Sequence, residues 1–532
     1  MKNIELFAGC GGLSLGLETA GFETVMANEL SPMAGETYAY NLLNADLGCG
    51  NNDDNVLWVS SSHSREKLNS RLRENPFTAS GLSHEHFSDL TSCQLTSSDL
   101  TGSLLIGSIV DLNKLLSDPT SKLQDLFSEA IGSNGLDLVS GGPPCQSFSL
   151  AGLRDHSNHR NQLPWEFIKF VKMSNPKLAL LENVSGILRA FNIEGKPYYA
   201  WFELAKAFAG IGYVPICLHI NAKYVGAAQN RPRFILIAIR ADVYSQIVTN
   251  CSDKLLLDAI SHSKAFFDSI NRGLEPEFGS LPCFDLAKGH EVFISTVFSP
   301  LASTSESNLV TVKDAIDDLR DSEVAESKYV GKINSIFDNR HGHENQKIYN
   351  HDNRVNTARV KARFRLYQIM TKLPKAQSKE ISKFLKTNGE SGMLSSTLKM
   401  LRTYWLLDIT GQKLTDQSDT ELLQLLSSLY TKKQTQRALI PNAPAPAALS
   451  IPDDACHYFE SVDTLRTLTV REMARIQSFP DWYKIKSKVT TGGQMRKFEV
   501  PQYTQIGNAV PPLLALALGK VCKNLINVSK GI

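Results

Sequence analysis

The chain has 532 residues, 42% hydrophobic and 21% charged, with a formal net charge of +2 at pH 7. That length exceeds what one hydrophobic core organises and predicts at least two domains. The near-neutral balance excludes a globally basic nucleic-acid binder, so positive surface for such a partner must be local.

The opening "MKNIELFAGC" enters a strand pattern directly, and no apolar run approaches the about eighteen residues of a membrane span, which predicts a cytoplasmic protein with no membrane partner. Nine cysteines (10, 49, 93, 145, 217, 251, 283, 456 and 522) show neither Cys-x-x-Cys nor zinc-type spacing, so no disulfide framework and no metal are expected.

In chain order, "NIELFAG", "CGGLSLGLETAG" and "FETVMANE" read as strand, turn with helix, and strand. Residues 45–105 are rich in Ser, Asn and Asp and read as a polar insertion with little regular structure. Four apolar runs follow, "GLDLVSGG" (135–142), "PKLALLENV" (176–184), "YVPICLHINA" (213–222) and "RFILIAIR" (233–240), with helical stretches "PWEFIKFVKM" and "YYAWFELAKAFAGIG" between them. Strands alternating with helices predict an α/β domain built on a doubly wound, mostly parallel sheet. Residues 246–465 turn polar and irregular, with a Pro/Ala linker at 440–452, and read as a second, smaller domain. Residues 466–532 end in an apolar helix that returns to complete the first domain at 1–245.

Three strand ends carry candidate chemistry. "FAGCGG" (7–12) is a Gly-rich turn, and Glu29 closes the next strand, where a carboxylate can accept from ribose hydroxyls. The order is not Gly-x-Gly-x-x-Gly, so a nucleoside without phosphates fits as well as a dinucleotide, and a merely structural turn is the competing reading. In "SGGPPCQSFS" (140–149) two prolines stiffen the backbone before Cys145, which is either a buried structural thiol or a nucleophile needing nearby positive charge. Glu182 in "LLENVSG", and Arg231 and Arg233 in "QNRPRF", lie at further strand ends.

Taken in order, "LFAGCGGLSLGLETAGF", "ANE", "GGPPCQSFS", "LLENVSGI", "AAQNRPRFILIAIR", "RTLTVREMARIQSFP" and "QIGNAVPP" resemble the motifs of the DNA cytosine-5 methyltransferases. The resemblance implies a class I, Rossmann-like fold with S-adenosylmethionine as methyl donor and no metal. It implies that Phe7, Ala8, Gly9, Gly12, Leu13 and Pro144 line the donor pocket, Glu29 holds the ribose, and Asn508 and Val510 close it. Ser108 and Ile109 would meet the adenine, although the family usually has an aspartate where Ser108 stands. Cys145 would add to C6 of a flipped cytosine, Glu182 would assist at N3, and Arg231 would hold the O2 edge. Gln146, Ser149 and Arg233 would face DNA.

Residues 328–404 hold sixteen Lys and Arg against five Asp and Glu, a surplus of eleven in a nearly neutral chain. Within it, "ARVKARFRLYQIMTKL" puts Val360, Phe364, Tyr367 and Met370 on one helical stripe, with Arg359, Lys361, Arg363 and Arg365 around it. A solvated basic helix is the plain reading. Its position matches the family's target-recognition region, and phosphate contact with double-stranded DNA is expected from Arg359, Lys361 and Arg363. With no regulatory segment ahead of the first motif, the prokaryotic restriction-modification branch is implied, with a monomer and a cognate restriction endonuclease as functional partner. The alternatives are a tRNA cytosine-5 methyltransferase of the same family and a catalytically silent DNA-binding regulator.

Overall fold

The computed structural model describes all residues other than 50–53, 84, 93, 145–161, 194, 289–291, 321–324, 340, 343–347, 416, 432–435, 448–454 and 463–464. Strands β1 (Lys2–Leu6), β2 (Glu23–Glu29), β3 (Val56–Trp58), β4 (Ser103–Ile106), β5 (Leu138–Gly141), β6 (Leu178–Val184), β7 (Tyr213–Asn221), β8 (Pro232–Arg240) and β9 (Cys283–Asp285) form one sheet, in the order β9-β7-β8-β6-β5-β1-β2-β4-β3. Every described pairing is parallel except those of β8 with β6 and β7. This is the doubly wound, mostly parallel sheet expected from the sequence. The chain starts at β1 and winds to β2, β3 and β4 on one side, then to β5 and β6 on the other. The order therefore reverses between β1 and β5, and open α/β sheets bind ligands beside the carboxyl ends of the strands at such a switch point.

Helices α1 (Gly12–Thr19), α2 (Pro32–Leu42), α3 (Ile109–Ser117), α4 (Leu163–Ser174) and α5 (Ala200–Gly210) cover the sheet. Local chemistry places their starts. Ser31 caps α2 ahead of Pro32, and Ser108 caps α3 by accepting from the Val110 N–H at 3.2 Å. The central strands β7 and β8 are apolar on both faces, and Val214, Ile216, Leu218, Ile235, Ile237 and Ile239 are fully buried. Each such side chain contributes roughly 1.5–3 kcal/mol of transfer free energy.

The second lobe is built on α6 (Ala358–Met370), α7 (Lys375–Lys386) and α8 (Asp419–Ser428), after which α9 (Val470–Ile476), α10 (Gln502–Asn508) and α11 (Pro512–Ser529) return to the sheet. Thr469 and Glu472 form a capping box at α9. Helix α11 docks on α1 through small residues: a Cβ on Gly16 would lie 2.3 Å from Ala515 Cβ, and one on Gly519 2.6 Å from Ala20 Cβ. Among the described residues no single helix is long and apolar enough to cross a membrane.

Two boundaries differ from expectation. The first core does not end near 245, because Leu256, Ile260, Phe293, Leu301, Ile316, Val330 and Phe337 pack into it and β9 extends its sheet. A separate core appears only from Ala362 to Leu465. Polar composition masked this, since short helices contribute single buried residues without a long period. Residues 45–105 are likewise not merely irregular. Strand β3 joins the sheet edge, Leu72 packs with Trp58, and a buried Arg71–Asp89 ion pair at 2.7 Å ties the segment together.

Candidate active site

The turn after β1 begins with Phe7 at φ 57°, a conformation unusual for a bulky side chain. Gly9 (φ 57°) and Gly11 (φ 86°) complete it. A Cβ on Gly9 would meet nothing within 4 Å, so open space lies against this backbone. Glu29, at the end of β2, accepts from Gly9 N–H and Ser31 N–H, both at 2.8 Å, and burial raises its pKa. A carboxylate has about four acceptor sites, so Glu29 can meet vicinal hydroxyls as well as these backbone donors. Open space beside glycine backbone, next to a carboxylate that pairs with no cation among the described residues, suits the nucleoside part of S-adenosylmethionine better than a phosphate.

The C-terminal return forms the opposite wall. A Cβ on Gly12 would lie 2.3 Å from the carbonyl oxygen of Val510, so only glycine admits that segment. Asn508 is exposed beside it. Ala8, Leu13 and Ile109 are buried in apolar cores. Ser108 uses its hydroxyl to cap α3. Cys10 is buried, and its thiol is pushed up to about 12, which removes it as a competing nucleophile.

Across the switch point, β5 ends at Gly141 and leads to Pro143, whose carbonyl accepts from Asn183 Nδ2 at 3.1 Å. Pro144 is exposed. A Cβ on Gly142 would lie 3.1 Å from Glu182 Oε2, so the β5 loop passes directly over that carboxyl group. Cys145, Gln146 and Ser149 lie outside the described residues; Cys145 is three residues beyond Gly142 in the chain.

The two arginines occupy different places from those expected. Arg233, not Arg231, meets Glu182, with Nε 2.6 Å from Oε1 in an ion pair whose N–H is not aimed along the contact. Arg231 is 2% exposed and donates to the carbonyls of Gly507 (3.0 Å) and Ala509 (2.9 Å), gripping the C-terminal wall. Burial, with Arg233 nearby, depresses its pKa, and its Nε has no hydrogen-bond partner among the described residues. The expected contact of Arg231 with a base edge is therefore corrected, because its terminal nitrogens already serve backbone carbonyls.

The basic helix is also corrected in part. Residues 362–369 of α6 are buried on all sides, and Arg363 donates to the carbonyls of Leu429 (3.0 Å) and Tyr430 (3.3 Å). Arg365 donates to Trp405 O (3.0 Å) and pairs with Glu460 (3.0 Å). Neither guanidinium is available to phosphate. Arg359 is exposed and Lys361 half-buried.

Sequence reasoning passed over Gln505 and Tyr483. Gln505 accepts from Thr37 Oγ1 at 2.6 Å and donates to the carbonyls of Met33 (3.1 Å) and Val500 (3.0 Å), while Tyr483 donates to Cys10 O at 2.5 Å. Gln505 fastens the C-terminal return to α2, and Tyr483 fastens it to the turn after β1. Their signal was a polar or amphipathic residue inside an otherwise apolar block, "QIGNAVPP" and "SFPDWY".

The family model of the C-5 cytosine-specific DNA methylases matches residues 1–55 and 113–524. The chain is 26% identical over 525 residues to the Type II methyltransferase M.DdeI of Desulfomicrobium norvegicum, covering 98% of this chain and 88% of that protein. It is 24% identical to M.AgeI of Thalassovita gelatinovora over 553 residues, 99% of this chain and 100% of the other. With M.NgoPII of Neisseria gonorrhoeae the likeness is 31% over 244 residues, 46% of this chain and 49% of that one.

Proposed function

This chain belongs to the C-5 cytosine-specific DNA methylase family, and from that premise we propose how its residues divide the work of methylating cytosine in DNA. The supporting observation is the switch point, where the open turn at Gly9 with Glu29 and the loop above Glu182 leave adjacent strands.

S-adenosylmethionine, the methyl donor, supplies an electrophilic methyl group. Glu29 accepts from its ribose hydroxyls, Ser108 and the backbone at Ile109 meet the adenine, and the Phe7 to Gly12 turn with Asn508 and Val510 encloses the remainder. Arg231 acts as a positioning residue by fixing the Gly507 to Ala509 backbone as one wall.

Cytosine C5 is a weak nucleophile. Addition of the Cys145 thiolate to C6 moves electron density to C5, so that C5 takes the methyl group; loss of the C5 proton and elimination of Cys145 then restore the ring. Glu182 acts as the acid at N3, giving its carboxyl proton to the nitrogen where negative charge gathers during addition and taking it back when the ring is restored, and Arg233 beside it supplies the local positive potential that favours thiolate. The target base must leave the duplex, since C6 is inaccessible within the stack. The named relatives are Type II methyltransferases, which supports an enzyme that protects host DNA from a cognate restriction endonuclease.

Expression in a host lacking cytosine methylation, followed by bisulfite sequencing, tests this reading. Protected cytosines confined to one short sequence are expected. Absence of 5-methylcytosine, or transfer of labelled methyl to tRNA alone in vitro, overturns it.

A further inference from the structure

The positive surplus of residues 328–404 has to reach solvent somewhere, and α6 carries little of it, because Arg363 and Arg365 are enclosed and only Arg359 and the half-buried Lys361 reach its surface. The next helix does. In α7, Lys375, Lys379, Lys383 and Lys386 are all exposed, while Ile381, Phe384 and Leu385 face the core of the second lobe. At 3.6 residues per turn these four lysines fall within an arc of about 80°, and a rise of 1.5 Å per residue lays them along about 16 Å.

None of the four forms an ion pair with a described residue. The acid on the same helix, Glu380, turns away: it accepts from the Leu394 N–H at 2.6 Å and from the Thr397 hydroxyl. The stripe is thus four uncompensated cations on a rigid, well-packed element, which is unfavourable by self-repulsion unless a polyanion faces it. Successive phosphates of one B-DNA strand lie about 7 Å apart along the winding backbone, so a straight stripe of this length spans two or three.

We propose that the lysine face of α7 is a docking rail for the duplex backbone, contacting phosphates along one strand and reading no bases. The proposal rests on the DNA-methylating function above. It moves the electrostatic contact from α6, where the sequence pattern suggested it, to the neighbouring helix. Phosphate contacts made this way release counterions and carry no sequence information, so they set affinity and its salt dependence and leave site choice alone.

The test uses the full chain and two fluorescein-labelled 30-base-pair duplexes, one with the methylated site found by bisulfite sequencing and one without. Binding is followed by anisotropy across a KCl series for wild type and for two quadruple variants, Lys375, Lys379, Lys383 and Lys386 all changed to Gln or all to Arg. The Gln variant should lower the slope of log K against log [KCl] by about 2 to 3 on both duplexes. The ratio of the two affinities should stay unchanged, and the Arg variant should keep the wild-type slope. An unchanged slope in the Gln variant, a change confined to one duplex, or an equal loss in the Arg variant overturns the proposal. Its failure is distinguishable from that of the function, because wild-type protein that methylates no DNA refutes the latter whatever the slopes.

Discussion

Two regions of the molecule carry an arginine pair at the same spacing, Arg231 and Arg233 at the start of β8 and Arg363 and Arg365 inside α6, and both pairs are buried. In the second lobe the pair stays within one core: Arg363 holds the end of α8 at Leu429 and Tyr430, and Arg365 holds Trp405 and Glu460. At the sheet the pair bridges segments far apart in sequence. Arg231 reaches Gly507 and Ala509, and Arg233 reaches Glu182. Buried arginine knits one lobe's own core together in one place and joins separate segments at the sheet edge in the other. The difference lies in what the carbonyl and carboxylate partners go on to touch.

The largest effect that would sharpen this contrast comes from the sheet rim itself. Cys145→Ser should reduce methyl transfer by at least about 10⁴-fold while leaving donor affinity, measured by calorimetry, near wild type. Glu182→Gln should cost about 10² to 10³ in the single-turnover rate, again with little change in donor affinity. Loss of donor binding in either variant would place these groups on the wrong side of the pocket.

Arg231→Met and Arg363→Met make the direct comparison. Each removes a buried donor from two carbonyls, and each should lower stability by about 2–4 kcal/mol in denaturant titrations. Only Arg231→Met should also weaken donor binding, by about tenfold or more, because only its carbonyls belong to the donor wall. Equal weakening by both would break the distinction. Glu29→Gln should raise the donor Kd by about 10- to 100-fold, the range expected for lost charge-assisted hydrogen bonds, with no loss of thermal stability comparable to that of Arg231→Met.

The last effect, read in stability and not in activity, is a pH dependence beneath the same turn. Glu5 is buried in β1, accepts from Ser14, and has its carboxyl pKa pushed up to about 8 by burial. The native state then holds a proton that the unfolded chain releases above about pH 4.5. The stability contributed is fullest below that value and declines as pH rises through about 8. Tm should fall between pH 5 and 8, and Glu5→Gln should flatten the decline.

Most of the sheet was legible because its strands are short apolar runs closed by Gly, Pro or Asn, and β6, β7 and β8 appear within two residues of their expected ends. The strand ends bearing Gly9, Glu29 and Glu182 were legible for the same reason, since a doubly wound order brings them to one edge. What the pattern could not carry was side-chain partnership. Arg231 and Arg233 share a strand face by spacing, yet one turns to the C-terminal return, 276 residues on, and the other back to Glu182 on the neighbouring strand. Helix α6 misled for a related reason: charge in a periodic pattern reads as surface, but a guanidinium can be buried wherever backbone carbonyls meet it. The domain boundary failed because residues 254–337 add to the first core through scattered single residues such as Phe293 and Ile316.

The central claim, that Cys145 forms a covalent bond to the target cytosine during methyl transfer, is tested most directly with duplex DNA carrying 5-fluorocytosine at the methylated position. After thiolate addition at C6 and methyl transfer to C5, fluorine cannot leave as the proton does, so the enzyme should remain attached. Wild type incubated with this duplex and S-adenosylmethionine should give a denaturation-resistant protein–DNA band whose cross-linked peptide contains Cys145, and Cys145→Ala should give none. A band of equal yield from Cys145→Ala, or no band from a wild-type preparation that methylates ordinary DNA, would contradict the account.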